Sequence, residues 1–561
     1  MSKLIKEYFQ YQDKFVKKYG SDTIVLMQVG SFYEFYGLDI DKLSYKDVDA
    51  SLNLDNTHLY TVAKLLGFSI AKKTNHTLMA GVPKYAIDKH VKKLLDNNYT
   101  IVIIEQIGED KKDVDRQITN IYSPGTYMDD INTIKTNFLA SIYIENTKTL
   151  HGNTIEMGAC CIDLSIGKNI IYEIPYKKED SNYIYDELYK FINSYNPSEI
   201  IISFKDIDEN KQNNIIESLE INKRIIKTVN YGDSYKKIDI QEMMLKEVFK
   251  PKTMISVFEY LDIHRMQIGI YSYINLLLFI KEHDNSKLLH LEKPDIYTTS
   301  NLLNLNRNTI YRLNLVNNNN QEENNTSIKS LFDVVNMTTT NIGRRTLRNR
   351  LIFPTTNIDV LNKRYDLADY FIENKELMTL FKGELCNISD IERLNRKLVT
   401  LKLDKENDLL NLCISLNYIN KIFDNISSEL FSLLSLDEEN KKEFEVFYNE
   451  IKNTFDMDKL YSRDINIFKS GFNQSIDEKN GIYKKQIVIF EELCRKFTKI
   501  IKMEDKKVYD DDLLLVDYEW SDRDNCYNIT TTEARAKKLK LGLQKKKNIK
   551  IKKEEYDIDI T

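Results

Sequence analysis

The sequence predicts a multidomain chain, α/β in its N-terminal part and mainly α beyond, on three observations. Short apolar runs closed by turn residues alternate with helical patterns as far as Tyr231. From residue 253 the segments 253–282, 327–352 and 357–384 take on helical periodicity. After Pro354 the remaining 207 residues contain no proline, which suits long uninterrupted helices.

Residues 1–19 are expected to form an amphipathic helix, with Leu4, Tyr8, Tyr11, Phe15 and Val16 at helical spacing. Residues 23–29 read as a buried-type strand closed by Gly30. A helix over 86–95 feeds an apolar strand at 99–104, and Ser123-Pro124-Gly125 makes a turn near Asp130. This completes a first α/β domain, 1–130. Strands at 138–144, 158–164 and 168–174, a helix at 185–194 and a strand at 199–204 build a second, 131–245. A helical domain is expected over 246–470, broken by the polar run 316–327, which reads as a surface loop. In a last domain, 471–561, strands at 512–518 and 526–530 stand in a helical context.

The 561 residues suit roughly three to five domains. At 42 % hydrophobic and 29 % charged, the chain is globular rather than disordered. No stretch approaches the ~20 apolar residues of a membrane helix, and residues 1–20 carry no signal-peptide pattern. A soluble, intracellular protein with no membrane partner is expected. Six scattered cysteines without a CxxC pair argue against a disulfide framework or zinc module. All seven histidines lie at or before His290, which excludes a histidine-based nuclease or metal site from the C-terminal half. Acidic residues outnumber basic ones 85 to 80, a formal charge of −5. That balance hides ten basic and no acidic residues between Arg535 and Lys553, so nucleic acid stays open as a partner.

The run Gln28-Val29-Gly30-Ser31-Phe32-Tyr33-Glu34-Phe35-Tyr36 ends a strand in glycine and then flanks one carboxylate with aromatics. In the plainer reading Phe32 and Phe35 are core and Glu34 is solvated. In the sharper one an apolar wedge enters the DNA minor groove and unstacks a base step. A carboxylate beside phosphates then needs a base-edge hydrogen bond to compensate its charge.

Three further segments follow in order: Leu78-Met79-Ala80-Gly81-Val82-Pro83, Val102-Ile103-Ile104-Glu105-Gln106, and Arg116 through Ser123-Pro124-Gly125-Thr126. Together with the first run they resemble the mismatch-binding domain of the MutS family. Residues 138–142 and 161–167 resemble the start of its ribonuclease-H-like connector. The stretch 338–354, with Gly343-Arg344-Arg345-Thr346-Leu347-Arg348, and Asp390-Ile391-Glu392-Arg393 are similar to its core-helix signatures. Residues 471–477 look like the approach to its DNA clamp, and the wording around Phe32 is closest to the branch of large DNA viruses and some mitochondria.

The resemblance implies a mismatch-recognition domain, a connector, a core/lever of long helices and an inserted clamp. It implies that Phe32 wedges beside a mispaired base, that Glu34 hydrogen-bonds that base, and that Met79 touches the minor groove. Leu78 replaces the proline of many relatives. In a clamp, Lys537, Lys538, Lys540, Lys545, Lys546 and Lys547 would hold the DNA backbone, whereas their plainer reading is a solvated helix face or a frayed end. Arg344, Arg345, Arg348 and Arg350 form a second basic cluster, open to pairing with carboxylates instead. Asp163 lies where a ribonuclease-H enzyme places a metal ligand, but the next parallel strand offers Ser203, so Asp163 reads as structural.

The family couples binding to an ATPase using ATP and magnesium. A P-loop needs two glycines five positions apart, then Lys-Ser/Thr. None of the 17 glycines has such a partner, and Gly167-Lys168 is followed by Asn169. The expectation is therefore a non-enzymatic, cofactor-free, DNA-binding part of a MutS-type protein. Its partners would be duplex DNA with mispairs or small loops, and an ATPase-bearing MutS protein or a second copy. Two alternatives are one half of a split ATPase and a degenerate paralogue that binds only non-specific DNA or protein.

Overall fold

The computed structural model describes residues 3–38, 58–74, 77–107, 115–128, 137–149, 152–176, 180, 182–219, 225–298, 302–303, 305, 307–316, 330–404, 407–462, 466–504, 513–521 and 526–545. Two compact units divide the chain, Met1–Lys441 and Lys442–Thr561.

The first unit opens with α1 (Lys3–Tyr19), β1 (Thr23–Val29), β2 (Phe32–Leu38), α2 (Leu59–Leu66), β3 (Ala71–Thr74), β4 (Thr77–Pro83), α3 (Ile87–Leu95), β5 (Thr100–Ile107) and β6 (Asp115–Tyr122). Their sheet runs β3-β4-β2-β1-β5-β6, with β1 and β5 parallel and the other pairs antiparallel. The central parallel pair is buried on both faces, which is why Ile24–Met27 and Ile101–Ile104 are unbroken apolar runs. On α1 the buried stripe is Ile5, Tyr8, Phe9, Gln12, Phe15 and Tyr19, while the expected Leu4 and Tyr11 are only partly buried. Gln12 sets that face. Its amide donates to Thr23 O at 2.6 Å and its Oε1 accepts from the Val25 amide at 2.9 Å, a polar seam that apolar periodicity cannot register.

A second sheet collects β7 (Phe138–Thr149), β8 (Gly152–Asp163), β9 (Lys168–Ile174), β10 (Glu199–Lys205), β11 (Ile226–Thr228) and β12 (Asp295–Ile296), in the order β11-β10-β7-β8-β9-β12. Between them come α4 (Tyr183–Tyr195), α5 (Glu209–Ser218), α6 (Ile238–Phe249), α7 (Val257–Tyr260) and α8 (Gln267–His283). The periodic stretch 253–282 is thus two helices. Residues Gly269–Ile280 of α8 are all buried, and α8 packs across β7, β8 and β9. Asp163 serves the turn after β8, accepting from the Ser165 amide (2.9 Å), the Ser165 hydroxyl (2.6 Å) and the Asn137 amide (3.2 Å).

The turn at Ser123 joins the two sheets. Buried Glu199 accepts from Ser123 Oγ (2.5 Å) and the Gly125 amide (3.0 Å), and it pairs with Lys227. Lys287 donates to Thr126 O at 2.7 Å. A Cβ on Gly125 would stand 2.8 Å from Leu139 and 2.9 Å from Glu199, so only glycine lets the turn approach.

The helices that follow are α9 (Arg307–Arg312), α10 (Leu331–Val335), α11 (Asn341–Ile352), α12 (Ile358–Glu373), α13 (Lys375–Leu385), α14 (Ile391–Val399), α15 (Asp408–Asp424), α16 (Ser428–Leu433) and α17 (Glu438–Thr454). Asn374 ends α12 and starts α13, so the periodic segment 357–384 is two helices. Residues 317–327 of the expected polar loop lie outside the described residues. Asp390 caps α14 and binds Arg345 through both oxygens, one at 2.8 Å, while Glu392 takes Arg345 Nη2 at 2.5 Å. Arg345, in the basic cluster of α11, is therefore spent on carboxylates.

The second unit holds the rest of α17, then α18 (Met457–Tyr461), α19 (Gln474–Glu504), the antiparallel hairpin β13 (Asp517–Ser521) and β14 (Cys526–Thr530), and α20 (Glu533–Lys545). At 31 residues α19 is about 46 Å long. Its Cys494, Phe497, Ile500 and Ile501 form a core with Leu515 and Val516, against which Leu539 and Leu543 of α20 pack. The apolar run expected as a strand at 512–518 instead tucks Leu515 and Val516 into this core, and pairing starts at Asp517. Among the described residues no helix is long and apolar enough to cross a membrane.

Candidate nucleic-acid interface

The site starts from a two-residue turn. Val29 pairs with Phe32, leaving Gly30 and Ser31 to reverse the chain, and Gly30 takes φ 61° where a hairpin with glycine first needs it. Two glutamines brace this turn. Gln28 Nε2 donates to Gly30 O (3.2 Å), the Gly30 amide donates to Gln106 Oε1 (3.4 Å), and the Gln106 amide donates to Gln28 Oε1 (3.2 Å). The Lys84 amide donates to Ser31 O at 3.0 Å from the other side.

Phe32 emerges from the turn 47 % exposed, whereas every later residue of β2 is buried. Phe35 is core, packed into the body of the first sheet. The plainer reading of both phenylalanines as core thus holds for Phe35 and fails for Phe32, which stands at the turn end of the hairpin. Direct cross-strand partners share a face. Phe32 faces Pro83, Glu34 faces Gly81 and Tyr36 faces Met79, so Phe32, Glu34 and Met79 lie on one surface. Met79 is half-buried and packs against the core.

Glu34 is 7 % exposed rather than solvated. Its Oε2 accepts from Tyr36 Oη at 2.5 Å, and Lys73 Nζ lies 2.8 Å from Oε2 and 3.1 Å from Oε1. Burial first, then the bond to Glu34, pushes the Tyr36 hydroxyl well above the usual tyrosine range, so it remains a donor. Tyr33, on the opposite face, donates to Glu105 and is raised for the same two reasons. Gly81 leaves the space beside the carboxylate open: a Cβ there would lie 3.8 Å from both Glu34 Cγ and Phe32 Cβ.

Lys73, Gly81 and Tyr85 are additions that the motif reading missed. Tyr85 is 93 % exposed and follows Lys84 at the same end of the sheet. Spacing within the Leu78–Pro83 run was the one available pointer to Gly81. Nothing in the sequence near Lys73 marked it.

In the second unit, α20 turns Leu539 and Leu543 inward. Lys537 is exposed and paired with Glu533 at 2.8 Å, Lys538 is half-exposed and Lys540 is exposed. Among the described residues the run is helical as far as Lys545. The Lys545 side chain, Lys546 and Lys547 lie outside the described residues.

Comparison with known proteins bears on these surfaces. The profile of MutS domain I matches residues 7–131, and that of MutS domain III matches residues 308–506. A DNA mismatch repair protein MutS homologue of Acanthamoeba polyphaga mimivirus is 29 % identical over 97 % of this chain and 50 % of its own length. The DNA mismatch repair protein MutS of Caldanaerobacter subterraneus subsp. tengcongensis is 26 % identical over 85 % of this chain and 50 % of its own. That of Petrotoga mobilis is 24 % identical over 76 % and 46 %. The chain spans about half the length of the curated relatives it matches. With matched domains running from the Phe32 hairpin to the long helix α19, the chain belongs to the MutS family.

Proposed function

We propose that this chain binds duplex DNA and recognises mispairs or small loops, with Phe32 as the wedge and Glu34 as the acceptor for the displaced base. One observation carries the reading. The exposed residue of β2 is an aromatic, held out by a braced turn, with a carboxylate two positions on and on the same face. Inserting an apolar side chain at a base step unstacks it at a cost of a few kcal/mol. A mispair is already weakly stacked, so the cost is smaller there, and that difference supplies discrimination. Glu34 adds a hydrogen bond that a displaced base can donate. Met79 supports the surface behind it and meets the groove with its exposed part.

Lys537, Lys538 and Lys540, with the lysines that follow at 545–547, would hold phosphates without reading sequence. In this reading the chain carries out no chemistry on DNA and needs no cofactor. ATP and magnesium, implied by the family, find no fitting phosphate cradle, since no two glycines stand five apart before a Lys-Ser/Thr pair. They enter no step here.

The test is fluorescence-anisotropy binding to matched duplex, to a G·T duplex and to one with an unpaired T, at two salt concentrations. A preference for the two defective duplexes is expected. Equal affinity for all three would overturn recognition and favour non-specific binding.

A further inference from the structure

The carboxylate that is to meet a base is already occupied. Lys73 contacts both oxygens of Glu34 and Tyr36 donates to one of them, three bonds on a group with about four acceptor sites. Lys73 reaches it from two strands away, across β4. It belongs to the edge strand β3, whose residues are all exposed. The β3–β4 register slips between Lys72 and Thr74, so Lys73 stands at a bulge, a device that re-aims a side chain. Gly81, opposite Glu34, raises no side chain in the way. The two partners differ in freedom: the Lys73 side chain is 34 % exposed and that of Glu34 9 %. The lysine can leave while the glutamate stays.

We infer that Lys73 is a charge shield for Glu34, a positioning residue that neutralises the carboxylate on matched DNA and releases it where a mispaired base offers a donor. This rests on the function proposed above. Matched duplex brings phosphates near the hairpin but no displaced base, so an unshielded carboxylate there is left with uncompensated charge. With Lys73 in place the pair is close to neutral and the protein tolerates matched duplex. At a mispair the base takes an acceptor site, and Lys73 swings to a phosphate.

The test is a double-mutant cycle on matched-duplex affinity at low salt, using Lys73→Met, Glu34→Gln and both together. Lys73→Met is expected to weaken matched binding on the order of tenfold in the wild-type background. It should do so only about twofold beside Glu34→Gln, where no charge needs shielding. Mispair binding should fall less than matched binding, and Lys73→Arg should behave as wild type. An equal loss in both backgrounds would make Lys73 an ordinary phosphate contact and overturn the shield. Wild-type binding without mispair preference would overturn the wedge while the matched-duplex cycle still decides the shield. A wild type that binds no duplex would overturn both.

Discussion

Phe32 and Phe35 are three positions apart on one strand and have opposite fates. Their different surroundings make different outcomes on truncation. Phe32→Ala removes an exposed ring, so thermal stability should change by no more than about 0.5 kcal/mol while mispair preference is lost. Phe35→Ala opens a cavity in the first sheet and should cost about 3–5 kcal/mol. Circular-dichroism melts beside anisotropy titrations separate the two. If Phe32→Ala destabilised as much as Phe35→Ala, Phe32 would be core after all. The turn and the aromatic run after it were visible in one dimension, as a glycine closing an apolar strand. The motif could not tell that Glu34 is buried and paired, since Lys73 lies 39 positions away and arrives by a register slip. Arg345 shows the same limit in another place. Its basic cluster was legible, but its two carboxylate partners come from a segment 45 and 47 positions on. Removing Arg345 strips buried Asp390 of two charge-assisted hydrogen bonds and leaves it Arg393 Nε at 3.6 Å, so Arg345→Ala should cost about 2–3 kcal/mol in denaturant titration.

At the scale of elements, strands were legible unevenly, since those expected at 138–144 and 158–164 run over 138–149 and 152–163. The strands at 23–29, 168–174 and 526–530 stand as read. Helix ends were less so, because Asn374 breaks α12 from α13 without a glycine or proline to announce it. The apolar run before β13 misled for a physical reason: Leu515 and Val516 are buried by packing under α19, not by strand pairing. The α20 helix is the element whose function is most separable. Changing Lys537, Lys538 and Lys540 together to Gln should weaken matched and mispaired binding alike. The slope of log affinity against log salt should fall by about 2 to 3. An unchanged slope would place DNA elsewhere than on α20.

Across the first unit, the turn at Ser123-Gly125 ties the sheet that carries Phe32 to the second sheet through Glu199 and Lys287. Burial, with Lys402 adding to it, holds the Lys287 ammonium down at about 8. Between that value and the usual lysine range the unfolded chain binds a proton that the folded chain does not. Stability from this site therefore rises with pH through that window, and is least below about pH 8, where the buried group is charged. Wild type should gain on Lys287→Met by up to about 3 kcal/mol between pH 7.5 and 10, measured by paired melts. A constant gap would mean that Lys287 titrates as an exposed lysine. The central claim concerns Phe32 itself, and the most direct measurement is the fluorescence of 2-aminopurine placed beside an unpaired T. Wild-type protein is predicted to raise that signal by unstacking the base, and Phe32→Ala to bind without raising it. An equal rise with both proteins would contradict the wedge.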